Sequence, residues 1–213
     1  MHYHGGSMTP EASPLRFDAA DEARFRRDFD SAAAAHADAA GEPIAIDWMP
    51  SPVGPLLLGA TDSAVVLVEF ASIDQLDAQF ARLRKQFGRP FAQRGDHPLL
   101  RRLEDQLVEY FAGARRKFDL PLEYRGSAFQ ERVWSALRDI PYGETCSYGF
   151  IARKLGDPKA MRAVGLANGQ NPLAIVIPCH RVVNSSGDLG GYGGGRWRKQ
   201  VLLDLERGQG RLF

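Results

Sequence analysis

The chain has 213 residues, 44% of them hydrophobic, with a formal net charge of +1 at pH 7. That is apolar material enough for one large core or two small ones, and no stretch approaches the ~20 apolar residues of a membrane-spanning helix. Its two cysteines, Cys146 and Cys179, exclude a disulfide framework, lack the spacing of a zinc site and suit a reducing, cytoplasmic setting.

The first residues, "MHYHGGSMTPEAS", lack the apolar centre of a signal peptide. His2 and His4 before Gly5-Gly6-Ser7 read as a tag-like leader, with Met8 as a natural start. Residues 1–42 are taken together as a leader or extension. Their Ala- and charge-rich part predicts a surface helix or a mobile segment, without chemistry.

From Ile44 the pattern changes. "IAIDWM", "GPLLLGA" and "AVVLVEF" predict three short strands of an antiparallel sheet, with "SPVGP" and "TDS" as turns between them. Two helical patterns follow, and in the second Leu100, Leu103, Leu107 and Tyr110–Phe111 recur at helical spacing. Residues 43–115 therefore form an N-terminal α/β domain. Residues 116–124, extended and Pro-containing, are a linker.

The rest of the chain, residues 125–213, is mainly helical. "SAFQERVWSALRDIP" opens on a Ser127 cap and sets Phe129, Val133, Trp134 and Leu137 on one face; Pro141 and Gly143 end it. Ser147 caps a second helix, Gly156 takes a left-handed C-terminal position, and Asp157-Pro158 opens a third. This is a helix-turn-helix pattern. Residues 151–162 carry Arg153, Lys154, Lys159 and Arg162 against Asp157 alone, so the basic surface is local. Ala160, Ala163, Gly165 and Ala167 make a small-residue face with Arg162 among them, suited to a narrow groove and to replacing a base in a stack. Taken alone the pattern is weak, because an ordinary αα-hairpin has the same form.

The run 173–177 is wholly apolar and reads as a strand ending at Pro178, with Cys179 and His180 side by side after it. A thiol is a strong nucleophile only as thiolate, and a neighbouring histidine is the usual means of reaching that state. A lone cysteine or histidine is more often a core residue, and Cys146, with no adjacent base, is read that way. Adjacent residues of a strand point to opposite faces, so Cys179 and His180 would communicate through a bend at Pro178 or a water. Glu206, in "RWRKQVLLDLERG", is a candidate to orient the imidazole. "GDLGGYGGGR" lacks the spacing of a phosphate loop and reads as a mobile loop carrying Tyr192. A cysteine hydrolase would need an oxyanion hole and an acyl cleft, and nothing specific argues for either.

"PCHRVV", with "RAVG" and "NP" before it and "GYGGG" after it, resembles the O6-alkylguanine-DNA alkyltransferases. The resemblance runs from about Phe118 to Glu206, including "FQERVWSALRDIPYGETCSYG", and more loosely over residues 43–115. It implies an RNase H-like α/β N-terminal domain and a mainly α C-terminal domain with a helix-turn-helix and a short active-site strand. The match is to the short, single-activity form, without a metal site: residues 1–145 contain no cysteine.

The resemblance further implies irreversible transfer of an alkyl group from guanine O6 (also thymine O4) in double-stranded DNA to the protein's own cysteine. The protein would act as a monomer, once, with no cofactor and no membrane partner. On that analogy Cys179 is the acceptor, His180 polarises it through a water, Glu206 holds the imidazole and Asn171 braces the turn before the active-site strand. Arg162, on the helix with Ala163 and Gly165, takes the place of the flipped nucleotide, and Tyr148 meets the rotated phosphate. Tyr192 and the Gly193 N–H wall the pocket, and the carbonyls of Cys179 and Val182 receive the guanine amine. Gly193 replaces a serine, and Asn168 a methionine, found in some relatives.

Two other readings differ in class. A lesion-binding alkyltransferase-like protein would flip the base without accepting the group, and such proteins lack the cysteine that stands here as Cys179. A sequence-reading regulator would need polar side chains for the major groove, which the Ala/Gly face does not supply.

Overall fold

The computed structural model describes residues 17–37, 41–93 and 95–208; the tag-like leader with His2, His4 and Met8 lies outside them. Helix α1 (Ala19–Ala35) is opened by a capping box in which Asp18 accepts from the Ala20 and Asp21 amides and Asp21 reaches back. The alternative of a mobile segment does not hold for it. Phe25 and Phe29 are buried one turn apart, Phe25 edge-on to Trp48 (centroids 4.7 Å) and Phe29 to Phe80 (5.7 Å).

The sheet has the order β3-β2-β1-β4. Strands β1 (Ile44–Met49), β2 (Leu56–Ala60) and β3 (Val65–Phe70) are antiparallel neighbours, as their patterns predict. The sheet is not purely antiparallel, however. After helix α2 (Leu76–Phe87), the short β4 (Phe91–Gln93) returns parallel to β1, the helix providing the long crossover that parallel strands need. Along β1 the residues alternate: Ile44, Ile46 and Trp48 pack under α1 and α2, while Ala45 and Met49 enter the larger core on the other face. Both faces are covered, which is why these strands read as nearly unbroken apolar runs.

Helix α3 (Pro98–Phe111) lies on that second face and buries Leu100, Leu103, Leu107 and Tyr110. The free edge of β3 fastens two later segments of the chain. Val65 bonds to Pro121 and Glu123 of the linker, and Val68 to Pro172 and Ala174. The segment leading to Cys179 is thus tied directly to the N-terminal sheet.

The C-terminal half is built from α4 (Ala128–Arg138), β5 (Cys146–Ser147), α5 (Tyr148–Lys154), α6 (Met161–Gly169), β6 (Val182–Val183) and α7 (Arg196–Glu206). Ser127 forms a capping box with Gln130, and the Ser147 hydroxyl accepts from the Phe150 amide. The Trp134 indole donates to the Ala167 carbonyl at 2.8 Å, locking α4 to α6. Gly156 adopts φ +85°, but Asp157-Pro158 does not open α6. Those residues form a separate turn, closed by the Asp157 side chain on the Lys159 amide, and the helix begins at Met161.

Candidate active site

The apolar run before Cys179 is not a strand. After its bonds to Val68 the chain folds back on itself through Ala174–Ile177, with buried Ile175 at φ +72°. A β-branched residue in the left-handed region is strained, and the neighbouring bonds hold it there. Cys179, His180 and Arg181 then form a single 3-10 turn, and the short strand β6 follows the cysteine and pairs with β5. Asn171 braces the fold-back before this turn: its side-chain amide donates to the Ile177 carbonyl (2.8 Å), and its oxygen accepts from the Leu173 amide (3.0 Å).

Glu206, at the end of α7, gathers five donors among the described residues. Oε1 faces His180 Nε2 (2.8 Å), the Tyr110 hydroxyl (2.7 Å) and Arg181 Nη2 (2.9 Å); Oε2 takes Arg181 Nε (2.8 Å) and the Gly143 amide (3.1 Å). Burial alone would push this carboxyl up, but its bonds to His180 and Arg181 hold it well below the usual carboxylate range. Arg181 spends its remaining nitrogen on the Ile140 carbonyl at 2.6 Å.

His180 is fully buried, and burial, joined by the Arg181 and Lys199 charges, lowers its pKa against the pull of Glu206. With Nε2 on Glu206, its Nδ1 is buried without a protein partner among the described residues. No hydrogen bond joins His180 to Cys179 among the described residues. The thiol, 4% exposed, is instead influenced by Asn171, the Tyr192 hydroxyl and the Lys199 ammonium, all of which favour the thiolate; burial outweighs them and pushes the thiol up. At neutral pH the resting pair is therefore a thiol and a neutral imidazole.

Lys199 was not visible as a site residue in the sequence. Its side chain is fully buried on α7 and donates to the carbonyls of Val182 (2.6 Å), Leu189 and Gly191. Burial lowers its pKa to about 8. The Gly-rich loop that the sequence suggests is mobile is thus tethered. Arg198 also bonds to the Gly194 and Val53 carbonyls, and Tyr192 packs edge-on to Phe70 of the N-terminal half at 5.7 Å. Tyr110, read from its spacing as a core residue, is the second site residue that the sequence conceals. Asn168, met in the sequence only as a departure from some relatives, donates to the Cys179 carbonyl at 3.2 Å, and among the described residues its own oxygen is buried without a partner.

A groove of about 980 Å³ runs between α5, α6 and the Gly-rich loop. Tyr148, Gly165, Gly193 and the exposed Arg162 line it, whereas Ala163 is exposed on α6 outside its lining. Tyr148 donates to the Gly191 carbonyl (3.3 Å), and a Cβ on Gly165 would touch its ring at 3.9 Å. Gly193 sits so near the Gly169 carbonyl that a Cβ there would come within 3.3 Å of it. Asn168, Gly169, Tyr192 and Gly193 also line a second cavity, of about 600 Å³, which includes Cys179. Val182 is buried, with its carbonyl on Lys199. Phe150, Met161 and Leu166 are exposed on the helix pair, an apolar addition to its basic surface.

Two family models match the chain: "6-O-methylguanine DNA methyltransferase, ribonuclease-like domain" over residues 46–124, and "6-O-methylguanine DNA methyltransferase, DNA binding domain" over residues 128–208. The methylated-DNA–protein-cysteine methyltransferase of Mycolicibacterium paratuberculosis is 51% identical over 157 residues, covering 74% of this chain and 88% of the relative. The constitutive enzyme of that name from Bacillus subtilis is 40% identical over 161 residues, covering 74% and 92%. Among solved structures, Mycobacterium tuberculosis OGT in complex with DNA superposes with a TM-score of 0.64 at 44% identity, covering 76% of this chain and 92% of that one.

Proposed function

The chain belongs to the 6-O-methylguanine DNA methyltransferase family, and from that premise we propose how its residues carry out the transfer. It is a DNA-repair enzyme that takes the alkyl group from damaged DNA onto its own cysteine, and DNA is its partner. Its N-terminal domain is ribonuclease-like and its C-terminal domain helical and DNA-binding.

Cys179 is the acceptor. The observation that carries this assignment is its position: a buried thiol in a cavity whose walls are shared with the groove, on one turn with the histidine that Glu206 holds. An alkyl carbon on O6 is hidden inside a duplex, so the nucleotide must rotate out, at a cost of a few kcal/mol. Arg162, exposed on α6 beside Ala163, fills the gap in the stack, and Tyr148 lies at the groove wall where the rotated phosphate passes. The base enters between Tyr192, Gly193 and Asn168. Reading the minor groove suits a lesion that arises in any sequence, and phosphate contacts from the basic surface make binding weaken with salt.

In the reaction the thiol proton passes through a water to His180 Nδ1, the orphan nitrogen. The Sγ–C bond forms as the C–O6 bond breaks, the electron pair leaves with the guanine, and the proton ends on the base. Donors from the Gly193 amide and Tyr192 hydroxyl stabilise the charge developing on O6. The Val182 carbonyl already holds Lys199, so the guanine amine would use its second lone pair. The thioether has no leaving group suited to water, so each protein reacts once. O4-alkylthymine fits the same chemistry. Two free cysteines fit a reducing, cytoplasmic setting.

The test is incubation with a duplex carrying O6-methylguanine, followed by intact mass and peptide mapping. One methyl on Cys179 is expected, absent in Cys179→Ser. A protein that binds the lesion yet stays unmodified would belong with the non-reacting lesion binders.

A further inference from the structure

We propose that Tyr110, supplied by the N-terminal domain, is a positioning residue for alkyl transfer: its hydroxyl shares Glu206 Oε1 with His180 Nε2 and sets how firmly the carboxylate holds the imidazole. The proposal rests on the reading of Cys179 as acceptor and His180 as its base.

The geometry is specific. Tyr110 lies at the C-terminal end of α3, fully buried, with its ring among Phe111, Phe118 and Tyr142. A phenylalanine would fill the same space. The hydroxyl adds a desolvation cost that its bond to Glu206, at 2.7 Å, offsets. That bond crosses from one domain to the other and ends on the same oxygen that meets His180 at 2.8 Å. Every donor on Oε1 spreads the carboxylate charge and weakens its pull on the others. Burial, then the Glu206 charge, keeps the phenol protonated far above neutral pH, so it donates throughout the working range.

Other charged and titratable groups face this centre as well. Arg181, Tyr142 and His180 face Glu206, while Arg181 and Lys199 face His180. Tyr192 feels Tyr110 from the side of the thiol. None of them changes when the Tyr110 hydroxyl alone is altered. Without that hydroxyl Glu206 draws the imidazolium more strongly, His180 takes up its proton at higher pH, and it stops serving as a base sooner on acidification.

The experiment is the pH profile of single-turnover reaction with free O6-benzylguanine, which needs no base flipping. It compares the wild type, Tyr110→Phe, and the protein carrying 3-fluorotyrosine at position 110, whose more acidic phenol donates more strongly. The acid-side midpoint should move up by roughly half a unit or more in Tyr110→Phe and down in the fluorotyrosine protein. In a Glu206→Gln background, Tyr110→Phe should produce no further shift. Unmoved midpoints overturn the proposal, with or without a uniform loss of rate, because a mere strut would lower stability without moving the profile. If Tyr110→Phe does not fold, the near-isosteric fluorotyrosine protein decides alone. A wild type that leaves Cys179 unalkylated removes the underlying reading, a result distinct from an unmoved midpoint.

Discussion

Lys199 donates to the carbonyl of Val182 at 2.6 Å, and the same nitrogen reaches Leu189 and Gly191 on the facing loop. One buried ammonium thus ties the strand after the cysteine to the wall of the pocket. Lys199→Met would strip three carbonyls of a charged donor while removing a desolvated charge. The expected net loss is about 1–3 kcal/mol, with slower alkylation of Cys179 by free O6-benzylguanine. The native pKa near 8 lies below the ordinary 10.5, so between those values the unfolded chain binds more protons and this group's contribution to stability rises with pH. Urea midpoints taken across that window should rise in the wild type more than in Lys199→Met.

Gly194 has a different constraint. A Cβ there would overlap the Phe70 ring, which requires either the loop or the aromatic to move. Gly194→Ala should cost about 1–3 kcal/mol, the usual range for overpacking, and displace Tyr192, which packs on Phe70. Phe70→Leu makes room, so the double variant should recover part of both stability and alkylation rate. Strict additivity in chemical denaturation would show that the two residues do not press on one another.

How much of the fold and site was legible depends on the range of each interaction. The Ser127 and Ser147 caps are local, so a few letters announce them. The antiparallel strands were legible from composition, whereas three-residue β4 carries too short a pattern to separate from a loop. Alanine and charge hid Phe25 and Phe29, whose spacing of four marks one helical face. Lys199 had a signal that reading residue by residue overlooks. It shares the buried face of α7 with Leu202, Leu203 and Glu206, at spacings of three, four and seven. The Tyr110 bond to Glu206 joins residues 96 positions apart, and no local pattern encodes it. The family resemblance pointed to Cys179 as the proposed acceptor because "PCHRVV" is specific, but not to the 3-10 turn on which it sits.

Acid should weaken the fold in two stages. Burial lowers the His180 pKa below the ordinary 6.5, so on acidification from there the unfolded chain binds the extra proton first and stability falls. Glu206 is held far below 4.5, and its contribution, complete above that value, is lost as pH falls through the folded value. Denaturant midpoints between pH 7 and pH 5 should decline through His180 and flatten in His180→Gln. The steeper loss below pH 4.5 should be reduced in Glu206→Gln. An unchanged slope in His180→Gln would assign the first stage to another group.

Arg162 separates flipping from chemistry. It is exposed on α6 and lines the groove, but it does not line the cavity that includes Cys179. If its guanidinium fills the stack, truncation removes only what offsets the unstacking cost, a few kcal/mol in a duplex and nothing for a free base. Losing about 1.4 kcal/mol of that compensation slows the reaction about tenfold, and about 2 kcal/mol about thirtyfold. Arg162→Ala should therefore react with O6-methylguanine in duplex DNA at least about tenfold more slowly, and with free O6-benzylguanine at a rate near wild type. Single-turnover assays on the two substrates decide it. A shared loss would place Arg162 in support of the cysteine pocket, and an unaffected duplex reaction would leave the stack to another residue on α6.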